Sequence, residues 1–361
     1  MPLVVQALCV SLVPAMTPSA HAMESACVPP PVSSPGYYQF VQTYRSECSS
    51  VRNWNRTFSD VSVSALVDDR NSLAVTSSTS LAGAIASVKV GGKEFIASGG
   101  HGAALQYAFH AWQKTGRATE CYNPTQAGAR IDDVGQREPY HGPSTSALYV
   151  MAKAGSSIRA ESRPAMYLTR ADRQPGYDGC LAANVQPNTS PFTLGLSPYW
   201  LRTQVQLAPD HKVAALANVV RLSATLTSED SFRDQFDGVL IAYLQRDFVR
   251  VYSYELTGNV LTANPAAEYA SKDPVLRCTA DHLYCLGMYV RPAVLGTSAY
   301  YYTMTRPPSP YNGMAGEYTM QVTSPAADVA KGDVLTYETF LVAGNRDRVA
   351  STIRQLHQAL T

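Results

Sequence analysis

Residues 120–142, ECYNPTQAGARIDDVGQREPYHG, gather acids, arginines, an asparagine, tyrosines and a histidine in one run. Asn123-Pro124 and Gly128 favour turns, so the run reads as a loop, and a disulfide through Cys121 would lower the entropy of holding its side chains in place. Asp132 and Glu138 could act as a catalytic carboxylate pair, and His141 adds an imidazole that titrates near neutral pH. Arg130 could fork onto a carboxylate or align vicinal hydroxyls, with Asn123 and Tyr140 as further ligand contacts. The plainer alternative is a surface ion cluster, which contributes little to stability.

A second place is KEFIASGGHGAAL, residues 93–105. Gly99, Gly100 and Gly102 tolerate positive φ and close approach of a ligand, which could present His101 to a cleft. Tyr107, shortly after, offers a flat apolar face with a polar tip. The competing reading is a hairpin turn whose histidine only bonds a carbonyl. Three chemistries use these groups differently. A glycosidase needs an acid and a second carboxylate, here Glu138 and Asp132. A lyase would use His101 or His141 with a tyrosine, and Arg130 to neutralise a uronate. An ester hydrolase would place Ser144 or Ser146 beside His141, although no G-x-S-x-G elbow supports it.

Absences narrow the field further. There is no H-E-x-x-H helix, phosphate loop or dinucleotide fingerprint, so neither a metal nor a cofactor is expected. Net charge is +1 and no basic run occurs, which argues against nucleic acid as a partner and for a neutral or mildly charged ligand. Tyrosine outnumbers phenylalanine 22 to 9, and such rings suit sugars as well as ordinary sheet faces.

The elements that must hold these residues are strands. From Val61 onward, short β-branched and aromatic segments such as VSVSALV (61–67), AIASVKV (84–90), VVRLSATL (219–226), VLIAYL (239–244) and VLTYETFLVA (334–343) lie between Gly, Pro, Asn and Asp. The segment 99–112 also reads as a strand, through Leu105, Tyr107 and Phe109. In YYYTMT, alternation sends Tyr300 and Tyr302 to the face opposite Tyr301. No βαβ rhythm is visible, so the expected fold is all-β: one large β-sandwich over 61–361, with a C-terminal amphipathic helix. That helix, RDRVASTIRQLHQAL, repeats Val349, Ile353, Leu356 and Leu360 at helical spacing, with Asn345 as its N-cap. The prolines of 190–200 leave a split near residue 200 as the alternative to one domain.

Residues 1–22 combine an apolar run with an Ala20-His21-Ala22 ending, the pattern of a cleaved secretory leader. Residues 23–60 form a Pro/Ser-rich lead-in, and no later apolar run reaches the ~18 residues of a membrane span. A secreted or periplasmic location follows. Six cysteines then remain, and proximity favours Cys27 with Cys48, Cys121 with Cys180, and Cys278 with Cys285. Asp237 and Asp247 read as solvated ends of an apolar strand, and His282 and His357 as turn and helix residues. The sequons at Asn55 and Asn188 matter only in a glycosylating host.

The run VKVGGKEFIASGGHGAALQYAF resembles the early strands of galactose-mutarotase-like sandwiches. The resemblance covers 22 residues and implies a supersandwich-like fold whose concave face binds carbohydrate, in a group that includes epimerases, hydrolases and lyases. It aligns His101 with the histidine of the mutarotases and offers no match for their glutamate. The expectation is therefore a secreted glycoside hydrolase or polysaccharide lyase. The alternative is a non-catalytic secreted protein binding a glycan or a protein.

Overall fold

A computed structural model of the chain describes residues 55–56, 59–68, 71–98, 104–112, 120–125, 146–166, 197, 199–207, 216–228, 235–264, 268–291, 300–306, 317–323 and 327–361. In chain order the strands begin with β1 (Asn55–Arg56), β2 (Val61–Leu66), β3 (Ser72–Ser77), β4 (Ile85–Val90), β5 (Lys93–Glu94), β6 (Leu105–Trp112) and β7 (Glu120–Asn123). They continue with β8 (Ala147–Ala154), β9 (Ser157–Arg163), β10 (Ala165–Met166), β11 (Tyr199–Leu207), β12 (Val219–Ser228), β13 (Gln235–Leu244) and β14 (Arg250–Glu255). The remainder are β15 (Val260–Asn264), β16 (Tyr269–Ser271), β17 (Val275–Cys278), β18 (Cys285–Tyr289), β19 (Tyr300–Arg306), β20 (Glu317–Thr323), β21 (Ala327–Asp328) and β22 (Val334–Gly344). Helix α1 (Arg346–Leu360) follows.

These strands form two antiparallel sheets. One has ten strands in the order β1-β8-β9-β11-β12-β22-β18-β17-β14-β15; the other has 12, with β16-β19-β20-β13-β6-β4-β3-β2 as its main path. The expected all-β sandwich is what forms, and both sheets draw strands from before and after residue 200. Alternation explains why the faces meet. In β11, Leu201, Val205 and Leu207 are buried; in β12, Val220, Leu222, Ala224 and Leu226; in β6, Leu105, Tyr107 and Phe109. These residues and their counterparts build one apolar core between the sheets. Tyr301 is buried there, while Tyr300 is exposed, as the period of two requires.

The outer face of the ten-stranded sheet carries a second core. Val349, Ile353 and Leu356 of α1 pack on Leu276, Cys278, Cys285, Tyr289, Phe340 and Val342. Asn345 caps the helix by accepting the amide of Arg348 at 2.9 Å. Gly287 lets the helix approach, because a Cβ there would fall 2.8 Å from Val349 Cγ1 and 2.9 Å from Ile353 Cδ1. A disulfide joins Cys278 to Cys285 across the β17–β18 hairpin, the pairing that proximity favoured. The other two expected bridges involve Cys27, Cys48 and Cys180, outside the described residues, as is the expected leader over residues 1–22.

One aspartate differs from its sequence reading: Asp237 lies within β13 and bonds His110 across the ladder. Asp247 is exposed just past the end of β13, as read, and pairs with Lys93. His282 occupies the β17–β18 turn at φ 63°, its Nε2 2.8 Å from the Tyr252 hydroxyl, and His357 Nδ1 lies 3.3 Å from the hydroxyl of Tyr289.

Candidate functional site

His101, Arg130, Asp132, Glu138, Tyr140 and His141 lie outside the described residues, and so does Ser144. Asn123 and Tyr107 are described. Asn123 is buried at the end of β7, where its Oδ1 accepts from the Thr125 hydroxyl at 3.2 Å and its carbonyl accepts from Ser146 Oγ at 3.0 Å. The Asn123–Ser146 bond therefore closes the base of the 126–145 stretch, and Gln106 Oε1 receives the Thr125 amide at 3.2 Å. Tyr107 faces the inter-sheet core and donates its hydroxyl to Leu222 O at 3.1 Å. Burial pushes its phenol well above the ordinary value. It borders a cavity of about 20 Å³ lined by Leu105, Leu201, Val205 and Leu222. That is room for about one water molecule and not for a sugar ring.

The polar chemistry of the described residues collects elsewhere, on the outer face of β9, β11, β12 and β22. Because odd positions of β11 enter the core, even positions face out: Trp200, Arg202, Gln204 and Gln206. By the same rule β9 presents Arg159, Glu161 and Arg163, and β12 presents Arg221, Ser223 and Thr225. Register then brings distant residues together. Arg202 stands opposite Glu161 on one side and Thr225 on the other, Gln204 opposite Arg159 and Ser223, and Ser223 opposite Glu338 of β22.

Glu161 is 5% exposed, and both Arg159 and Arg202 hold it, the latter with Nε 2.9 Å from Oε1. A carboxylate so far from water is tolerated only when paired and hydrogen-bonded. Beside it the Trp200 ring lies 4.5 Å beneath the Arg163 guanidinium and 4.7 Å from the Tyr149 ring. At the other end of the strip, Glu338 is shared: Arg221 Nε is 2.6 Å from Oε1 and Arg291 Nη2 is 3.0 Å from Oε2. From Trp200 to Gln206 the strip runs about 20 Å along β11 at ~3.3 Å per residue. A single sugar ring would not span it.

The geometry of this strip suits a binding surface better than a hydrolytic centre. Glu161 and Glu338 sit on strands separated by β11 and β12. Three ladder steps of ~4.8 Å put about 14 Å between those strands, beyond the ~5–10 Å that a glycosidase pair requires. Each carboxylate is also committed to two arginines.

A titratable pair occupies the outer face of the other sheet. His110 of β6 and Asp237 of β13 stand directly opposite, with Nδ1 2.6 Å from Oδ1. A carboxylate on Nδ1 fixes the ring and its tautomer, the arrangement that orients a general base. Gln106, four residues before His110 on the same face, receives the amide of Thr125 at the root of the 126–145 stretch. Among the described residues no group of three or more His, Cys, Asp or Glu could hold a metal ion. No described helix is long and apolar enough to cross a membrane.

Sequence reading missed both places. The signal was present in SIRAESR and YWLRTQVQL, whose alternate positions are polar or aromatic on a strand that is apolar on its other face.

The fold defines an antiparallel two-sheet β-sandwich with a helix on one outer face. No family model matches the chain, and no curated protein matches it. Among solved structures it is similar to a putative aldose 1-epimerase from Escherichia coli K12, at 10% identity, covering 79% of this chain and 99% of that one, with a TM-score of 0.42. It is also similar to a galactose mutarotase related enzyme from Lactobacillus acidophilus, at 9% identity over 78% of this chain and 97% of that one, TM-score 0.39. A heparan sulfate lyase from Pedobacter heparinus matches at 8% identity over 77% of this chain but 34% of its own, TM-score 0.36. At such low identity and structural overlap these similarities assign neither a family nor an activity to this chain.

Proposed function

We propose that this is an exported carbohydrate-active protein that binds an oligosaccharide or polysaccharide along the polar strip of the ten-stranded sheet. The observation that carries the reading is the join at Trp200, where an aromatic ring meets a strip of arginine, glutamine, serine and threonine side chains about 20 Å long. Sugars have apolar ring faces and hydroxyl edges, and such a ring beside fork-shaped donors matches both. Arg159, Arg202 and Glu161 brace one another, so the surface is ordered before a ligand arrives, which lowers the entropic cost of binding.

A panel of neutral and acidic polysaccharides, followed by calorimetry, tests this. Binding lost on Trp200→Ala with the melting temperature retained supports it; no binding across the panel contradicts it. Export is checked by sequencing the N-terminus of the mature chain, which should begin at Met23.

Catalysis is a second reading, favoured by His110 and Asp237. In that reading His110 is the base of a lyase or hydrolase whose acids come from Asp132, Glu138 or His141. New reducing ends or unsaturated uronate absorbance, abolished by His110→Ala, would support it. Silence in both assays with binding intact leaves a non-catalytic binder.

A further inference from the structure

This proposal rests on the saccharide reading and specifies its ligand. We propose that Arg221 and Arg291, one on either side of Glu338, bind an anionic group carried by the saccharide, a carboxylate or a sulfate. Glu338 offers one negative charge and both of its oxygens are taken, by Arg221 Nε at 2.6 Å and Arg291 Nη2 at 3.0 Å. Two guanidiniums therefore share one carboxylate, and the triad carries an unbalanced positive charge.

Each guanidinium has five N–H donors in a planar fork. Arg221 bonds Glu338 through Nε, which leaves its terminal nitrogens for a ligand. The Nε of Arg291 is itself enclosed and makes no hydrogen bond, so a ligand would meet this side chain at its terminal nitrogens. The two side chains are 34% and 38% exposed, enough to be reached from solvent.

The surroundings suit an anion. Ser223 stands opposite Glu338 and Gln204 opposite Ser223, adding a hydroxyl and an amide as donors. Glu338 also holds the guanidiniums in place, so little side-chain freedom is lost when the ligand docks. A neutral hydroxyl could accept from one fork but would leave the charge unbalanced. A carboxylate or sulfate does both. Chain-wide charge, only +1, gives no hint of this local excess.

The test is calorimetric titration of the full chain with three probes of similar length: an oligouronate, a sulfated neutral oligosaccharide and the same oligosaccharide unsulfated. Acidic probes should bind at least tenfold tighter than the unsulfated one. Arg221→Gln and Arg291→Gln should each remove that preference, and Arg221→Lys should restore only part of it, because an ammonium is not a fork. Response to the uronate alone assigns a carboxylate; response to the sulfated probe alone assigns a sulfate. For the unsubstituted protein, raising salt from 20 to 200 mM should weaken acidic probes and spare the neutral one, a readout independent of whether the variants fold. Equal, salt-insensitive binding of acidic and unsulfated probes overturns the anion assignment and keeps the saccharide reading. Binding to none of the three overturns both.

Discussion

One face of the ten-stranded sheet is used in two ways. Across β22, β18 and β17 it is apolar and sealed by α1, with Phe340, Val342, Val349, Ile353 and Leu356 excluded from water. Across β9, β11 and β12 the same face is lined by arginine, glutamate, glutamine, serine and threonine and, among the described residues, carries no helix. Strand β22 passes through both regions: Phe340 and Val342 lie under the helix, and two residues earlier on that face Glu338 binds Arg221 and Arg291. The difference teaches where stability and function part. The helix-covered half buries apolar area and contributes to folding. The polar half retains charges that cost desolvation, which suits the proposed role in recognition.

The sharpest break of that contrast is Ile353→Ala. Truncating a fully buried aliphatic side chain should cost about 2–5 kcal/mol in denaturant unfolding and leave saccharide affinity unchanged. Loss of affinity at unchanged stability would show that the helix half takes part in binding. On the other half, Arg202→Leu leaves the buried Glu161 with one of its two guanidiniums, at a cost of about 3 kcal/mol, and should also abolish binding. Coupled losses are the mark expected of a site whose order depends on its own ion pairs.

A pH series sharpens the comparison. Burial raises the Tyr289 phenol to about 12, against an ordinary value near 10. A raised folded value means the phenol stays neutral in the native state while the unfolded chain ionises first. The stability it confers is therefore complete below pH 10 and lost as pH rises toward 12. Tyr289→Phe should flatten part of the fall in melting temperature over that window; an unchanged slope would place the alkaline loss elsewhere. The smallest effect is Asn345→Ala, which removes the cap of α1 and should cost about 1 kcal/mol with no change in binding.

The architecture was legible because burial follows period. Alternation in VVRLSATL and VLTYETFLVA, and helical spacing through Val349, Ile353 and Leu356, are local patterns that survive without knowledge of the partner strand. The polar strip was not legible for the converse reason. Glu161 and Arg202 are 41 residues apart, and Arg221 and Glu338 are 117 apart, so only ladder register brings them together. Residues 190–200 read as a boundary because of their prolines, yet Tyr199 and Trp200 begin the strand at the centre of the strip. The run 120–142, whose first residues Glu120–Asn123 form β7 rather than the expected loop, attracted notice because its polar residues are neighbours in sequence. Neighbours in sequence are the cheapest cluster to see and carry no information about which face they share.

The central claim, that the polar half of this sheet face is the ligand surface and the helix half is scaffold, is tested most directly by nuclear magnetic resonance during titration with an acidic oligosaccharide. The Trp200 indole N–H and the Nε–H groups of Arg202 and Arg221 should shift together along one binding curve, while amides of residues 346–360 stay in place. Saturable binding that leaves those three side chains unmoved, or that shifts the helix instead, would contradict it.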